Sequence, residues 1–363
     1  MMQHKSRFFH FFPPPHFLEM PAIGVDISDR SVRFAELKRG SGGFVLGKFG
    51  EQSIPPGIVV GGLIRKHDEL RNVFRDMATK HNFSYVRISL PEEQGYSLKI
   101  QIPYVREEEI YESLELQLAD HVPVSPQEAV FDYQVVVCGT KPKEGMYKIG
   151  LSVVPYKIVE SYLGLFENTG LTPLSFEFEA QAIARAIVRK GDCGTFLLLD
   201  MGATRTGIAI QSEGIITFTS TINVGGFSLT ESVARSLNIS FAEAQERKES
   251  EGLLGGKEGA LYKALIERLS VLRNEISKHY EYARSHEGVV EKDSDAIDRI
   301  IICGGEANVP GLASYLATTL NMDIEIANPW ININPLTQYV PEIPSNHALR
   351  YATALGLALP SSL

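Results

Sequence analysis

The stretch Thr195 to Gln211, TFLLLDMGATRTGIAIQ, constrains this chain more than any other. Phe196 to Leu199 is a short aromatic and aliphatic run of the kind that fills a buried strand. Asp200 ends it, and Gly202-Ala203 turn the chain with almost no side-chain bulk before a second apolar run. A strand, loop and strand of this composition leave backbone N–H groups free to face an anion. Thr204 and Thr206 add hydroxyl donors, and Asp200 at the strand tip suits a magnesium ion held through water, because hard cations take oxygen ligands and keep part of their hydration. An ordinary hairpin shares the local pattern. Ala22 to Leu37, AIGVDISDRSVRFAEL, repeats it, with Asp26 closing an apolar run and Ser28 and Ser31 in the turn. Two copies predict a duplicated domain whose matching loops face each other across one cleft.

With 363 residues, 44% hydrophobic and 22% charged, the chain is long enough and apolar enough for two domains with their own cores. A net charge of −9 argues against nucleic acid as the main partner, since phosphate backbones call for a basic face. Cys138, Cys193 and Cys303 are odd in number and widely spaced without C-x-x-C. The pattern supports neither a zinc site nor a disulfide framework, and it fits a reduced cytoplasm. No apolar run approaches the roughly 20 residues of a membrane-spanning helix. Residues 1–21 read as a flexible tail in which Phe8, Phe9, Phe11, Phe12 and Phe17 flank three consecutive prolines, a sticky set beside a bilayer or a partner.

Along the chain, the first cradle, a turn at Ser41-Gly42-Gly43, a strand over Phe44 to Ile54 and a helix over His67 to His81 form a βββα unit. Strands VRISL and SLKIQIP, a helix striped by Ile110, Leu114 and Leu118, two further strands and a helix through Leu163 then read as an inserted subdomain, about 86–172. The run Glu107 to Glu109 reads as a favourable acidic first turn rather than a ligand site. Leu174 to Lys190 passes from strand to helix with Glu177 and Glu179 at the junction, where a carboxylate can orient a water or a magnesium shell. Gly225-Gly226 precede a helix, whose N-terminus suits an anion, although a plain glycine turn reads the same. After the long Leu261 to Tyr282 helix and a buried strand, Gly304-Gly305-Glu306-Ala307-Asn308 lets backbone approach a flat ring or a ribose. The small-residue segment Asn346 to Leu359 suits a close helix crossing.

In this order the motifs resemble the actin-like ATPase superfamily. AIGVDIS, YESLELQLADHVP, FDYQVVV, FEFEAQAIARA, LLLDMGATRTGIAI and NVGGFSLTESVA are similar to the PilM family of type IV pilus assembly proteins, which is itself similar to FtsA. The resemblance covers Pro21 to Leu359. It implies an α/β fold of two duplicated actin-like (ribonuclease H-like) domains, residues 22–190 and 191–345, with an FtsA-type insert and a C-terminal helix, 346–363, returning to the first domain. It further implies that ATP and Mg2+ bind. Asp26, Ser28 and Ser31 match the first phosphate motif, and Asp200, Gly202, Thr204 and Thr206 the second. Gly225 and Gly226 match the glycine pair, Lys248 a nucleotide-side lysine, and Gly304, Gly305 and Asn308 the adenosine motif. Asp26 and Asp200 would hold the magnesium through water, with Glu177 and Glu179 positioning water or metal. Ser28, Phe227 and Gln245 depart from the family pattern, so nucleotide binding is expected to survive better than hydrolysis, with weak or no ATPase activity.

The resemblance places the chain at the cytoplasmic face of the inner membrane, associated with it through its partner. There it would hold the N-terminal tail of a PilN-like membrane protein and contact pilus platform and motor components, or those of a related type II secretion system. Self-association is left open. An FtsA-like filament protein would require an amphipathic membrane helix beyond Leu359. A small-molecule kinase would require a catalytic base outside the phosphate motifs, and none stands out.

Overall fold

The computed structural model describes residues 22–360 except 41, 137, 139–144, 286–296 and 336–338. The aromatic tail therefore lies outside the described residues. Strands β1 (Ile23–Ile27), β2 (Ser31–Gly40) and β3 (Gly43–Ser53) form an antiparallel meander. Parallel strands β6 (Tyr85–Leu90) and β10 (Thr172–Phe178) extend it, in the order β10-β6-β1-β2-β3. A two-stranded ribbon, β4 (Val59–Val60) with β5 (Leu63–Ile64), and helix α1 (His67–His81) lie between β3 and β6. The second half repeats the plan. β11 (Phe196–Met201), β12 (Thr206–Ser212) and β13 (Ile215–Ile222) form a meander that β14 (Arg299–Cys303) and β15 (Ile324–Ile326) extend in parallel, in the order β13-β12-β11-β14-β15. The expected duplication is thus an identity of strand order, with β1 and β11 as the corresponding central strands. β1 is buried at all five positions and β11 at every position except Asp200, as apolar runs flanked on both sides by strands must be.

A separate antiparallel sheet joins β7 (Tyr96–Pro103), β9 (Met146–Pro155) and β8 (Ala129–Val135) in the order β7-β9-β8. Helix α2 (Ile110–His121) covers it through Ile110, Leu114 and Leu118. The inserted sheet is therefore narrower than 86–172. VRISL pairs with β1 instead of β7, because its alternate residues Val86, Ile88 and Leu90 are buried in the first domain's core. Helix α3 (Tyr156–Leu163) joins the same core through Tyr162.

Helix α4 (Glu179–Ile187) follows β10 and buries Ala180, Ile183 and Ile187 against the second domain's core, which makes it the crossover between the halves. In the second domain, α5 (Gly226–Leu237) and α6 (Phe241–Ser250) precede α7 (Ala260–Ser285), whose Leu261, Leu265, Leu269, Leu272 and Ile276 stripe is buried. α8 (Leu312–Leu320) joins the same core. The C-terminal segment is not one helix. α9 (Ser345–Ala348), a 3-10 turn and α10 (Ala352–Ala358) succeed one another, and α10 crosses β1 and α4 at van der Waals distance. A Cβ at Gly24 would lie 2.0 Å from the Ala354 carbonyl, and one at Gly356 1.8 Å from that of Ala182. Arg87 donates to the carbonyls of Leu357 and Leu359 at 3.2 and 3.0 Å, satisfying the orphan acceptors of the helix end with a cation.

One sequence expectation is overturned outright. Cys138, beyond β8, and Cys193, before β11, are joined in a disulfide with their Cα atoms 5.6 Å apart. Spacing along the chain gave no sign of it, since the pairing depends on the insert folding back onto the second domain. Cys138 lies beside Gly214, in the turn between β12 and β13. Among the described residues, no helix is long and apolar enough to cross a membrane.

Candidate nucleotide cleft

The two cradles open into one cavity of ≈ 230 Å³ between the domains. In the first, the Ser28 N–H donates to the Ser31 carbonyl at 2.9 Å and the Ser31 N–H to Ser28 Oγ at 3.2 Å, so a serine pair fixes the turn. Ser28 faces the cavity, whereas Ser31 is buried behind it. In the second, the Gly202 N–H donates to the carbonyls of Asp200 and Arg205. Thr206 is fully buried and donates to the Val224 carbonyl at 2.7 Å, which ties the cradle to the glycine pair. Gly226 and Phe227 donate from their N–H groups to the carbonyls of Gly202 and Ala203 at 3.0 and 2.8 Å. A Cβ at Gly225 would sit 2.5 Å from the Arg205 nitrogen. Gly225 and Gly226 therefore buttress the loop from behind and do not line the cavity.

Of the residues expected at the site, the cleft brings together Asp26, Ser28, Glu179, Asp200, Gly202, Thr204, Gly304 and Gly305. Gly304 has φ +86°, and a Cβ there would meet Asp200 Oδ1 at 2.4 Å, so this position requires glycine. Lys248 is wholly buried beneath the wall, paired with Glu306 at 2.6 Å. Asn308 donates to the Asn346 carbonyl at 2.6 Å and fastens the glycine turn to α9. Glu177 does not reach the cleft and is ion-paired with Arg185 on α4. Phe227 lies beneath Arg30, whose guanidinium carbon is 4.8 Å from the ring centroid. Gln245 accepts from Thr230 at 2.6 Å and lines the cavity without a carboxylate.

Sequence reading passed over Glu92 and Glu93, in the turn after β6, and also Asp29, Arg30, Arg33, Arg205, Glu306 and Arg350, all of which line the cavity. A carboxylate ending an apolar strand was the signal that found Asp26 and Asp200, and Glu92 after VRISLP carries the same signal. The lining holds seven carboxylates against four guanidiniums. Burial, with Asp26 nearby, pushes Asp200 up to about 6. Burial also raises Asp26, against the pull of Arg33, whose Nη1 is 3.8 Å away, and of the Ser89 hydroxyl, which donates at 3.1 Å. Glu92 is pushed up to about 8 by burial and the neighbouring acids, although its carboxylate accepts from the Ala180 N–H. Glu179 rises well above the carboxylate range from burial and the charges of Glu92 and Asp26.

The excess of carboxylates favours a cation, and a polyphosphate would enter only with a divalent cation and the guanidiniums offsetting its charge. The N–H groups of Asp29, Arg30, Ala203 and Thr204 find no acceptor among the described residues, and all four residues line the cavity. Asp26 and Asp200 are the carboxylates whose ionised form an added cation would stabilise most directly.

The family model for the type IV pilus assembly protein PilM matches residues 24–362. A solved PilM-PilN type IV pilus biogenesis complex is similar with a TM-score of 0.74 at 22% identity, over 93% of this chain and 98% of that one. The ethanolamine utilization protein EutJ from Carboxydothermus hydrogenoformans gives 0.52 at 18% identity, over 95% and 90%. An MreB protein of Spiroplasma citri bound to AMPPNP gives 0.55 at 13%, over 93% and 94%. These likenesses show an actin-like ATPase fold. With the family model spanning nearly its whole length, this chain belongs to the PilM family of type IV pilus assembly proteins.

Proposed function

We propose that the chain binds ATP with magnesium in the cleft and serves as a scaffold at the cytoplasmic face of the inner membrane, holding the N-terminal segment of a PilN-like protein. The observation that carries the nucleotide reading is the meeting of Asp26 and Asp200, the tips of two equivalent strands, in one cavity beside unused backbone donors. An MreB protein of the same fold has been solved with AMPPNP, and a PilM has been solved with PilN, which supports both halves of the reading.

Asp26 and Asp200 would hold the cation through its waters. Ala203 and Thr204 would donate to phosphate oxygens, with Arg33 and Arg205 as the neighbouring cations. When bound, magnesium would offset negative charge on the phosphates. Glu179, which lines the cavity, would orient an attacking water. Burial and its acidic neighbours raise its pKa well above the usual carboxylate range. A platform that presents a peptide surface needs binding more than hydrolysis.

Titrating the protein with a PilN-type N-terminal peptide, with and without MgATP, tests the scaffold. Saturable binding is expected, and no binding under either condition removes it. Asp200→Ala should abolish magnesium-dependent ATP retention in equilibrium dialysis, and unchanged retention removes the placement of the metal.

A further inference from the structure

Arg205 rises from the second cradle with Nη1 3.1 Å from Asp29 Oδ2 and Nε 2.7 Å from Glu93 Oε1. Asp29 belongs to the first cradle and Glu93 to the turn after β6, so one guanidinium spans the cleft between domains. Both acids are anchored in turn. Asp29 accepts from the Gly61 and Gly62 N–H groups at 3.3 and 3.4 Å, and Glu93 from the Thr221 hydroxyl at 3.2 Å. The cation is thus occupied by carboxylates at the spot where the Ala203 and Thr204 donors open to the cavity. A polyphosphate arriving there meets the negative charge of Asp29 until Arg205 changes partners. The guanidinium fork fits phosphate and carboxylate oxygens equally well, so the exchange needs no new geometry.

We propose that Arg205 is a cross-cleft latch that trades Asp29 and Glu93 for phosphate oxygens when a nucleoside triphosphate binds, so that these two acids set nucleotide affinity and couple it to domain opening. The latch rests on the nucleotide reading above.

Fluorescent titration of the full chain with a labelled ATP analogue and magnesium tests it. Asp29→Asn and Glu93→Gln should each tighten binding about tenfold by removing a charge-assisted competitor. Arg205→Ala should weaken binding and cancel the gain in either double variant. Asp29→Asn also perturbs the Gly61-Gly62 turn, so Glu93→Gln is the second route, with thermal melts confirming that each variant folds. Affinities of both acid variants within about twofold of the parent overturn the latch. So does tightening in Arg205→Ala. If neither parent nor variants bind MgATP, the nucleotide reading fails and the latch with it; parent binding without tightening in the acid variants removes the latch alone.

Discussion

Glu213 occupies the hairpin turn between β12 and β13 with φ 55°, and its carboxylate enters the inserted sheet. Oε1 lies 2.9 Å from Lys148 Nζ on β9, and Oε2 lies 3.1 Å from Lys99 Nζ on β7. The three side chains are only 4 to 6% exposed. Beside them Gly150 leaves room for Ile215, which a Cβ would approach at 3.0 Å. A residue of the second domain is therefore the carboxylate on which two lysines of the insert converge. Glu213→Gln keeps the shape and deletes the charge. Removing one partner from a buried ion pair costs about 3–5 kcal/mol, because the remaining charge stays desolvated. Local opening of β7 and β9 should then become at least about 100-fold more frequent. Hydrogen exchange resolved by peptide would read this as faster exchange over 96–103 and 146–155, with the strands β1 and β2 unaffected. Replacing Lys99 and Lys148 by Met in the same variant should restore most of the protection, since a Gln-Met-Met triad of similar volume carries no uncompensated charge. Exchange in Glu213→Gln within about threefold of the parent would refute the view that this triad fastens the insert.

Non-reducing peptide mapping should recover the segments around Cys138 and Cys193 as one species, and Cys193→Ser should lower stability by about 2–4 kcal/mol; alkylation of both thiols without prior reduction would contradict the bond. Folded Glu92 keeps its proton to about 8, whereas in the unfolded chain it loses it near the ordinary 4.5. The folded state therefore binds more protons between these values, and stability should fall as pH rises through that window, then level off. Glu92→Gln should flatten the melting temperature against pH over that range, and parallel curves would refute the assignment. Gly24→Ala places a methyl 2.0 Å from the Ala354 carbonyl and 2.6 Å from the Ala358 nitrogen, so it should cost at least about 1–3 kcal/mol in a thermal melt; no loss would mean that α10 does not cross β1 so closely.

The sequence features that proved legible are those whose physics is local. An apolar run closed by Asp and followed by small residues folds as strand and turn wherever it occurs. Asp26 and Asp200 were therefore visible, and their equivalence gave the duplication before any strand pairing was known. The small residues of α10 likewise announce a close crossing. What the chain hid is set by pairings across long separations. VRISL is compatible with a hairpin to SLKIQIP, and only burial of Val86 and Ile88 on the first core decides for β1. Cys138 meets Cys193, and Glu213 meets Lys99 and Lys148, because the insert folds back on the second domain, which no spacing rule encodes. The same limit divided the expected site. Thr206, Gly225, Gly226 and Lys248 have the residue types of ligand contacts, yet each supports the wall through one hydrogen bond, close approach or ion pair. Type and order locate the cleft; which side of its wall a residue occupies follows from the partners that hold it there. Arg205 shows the converse: nothing in the sequence singles it out, and two acids from the other domain make it the cation that spans the cleft.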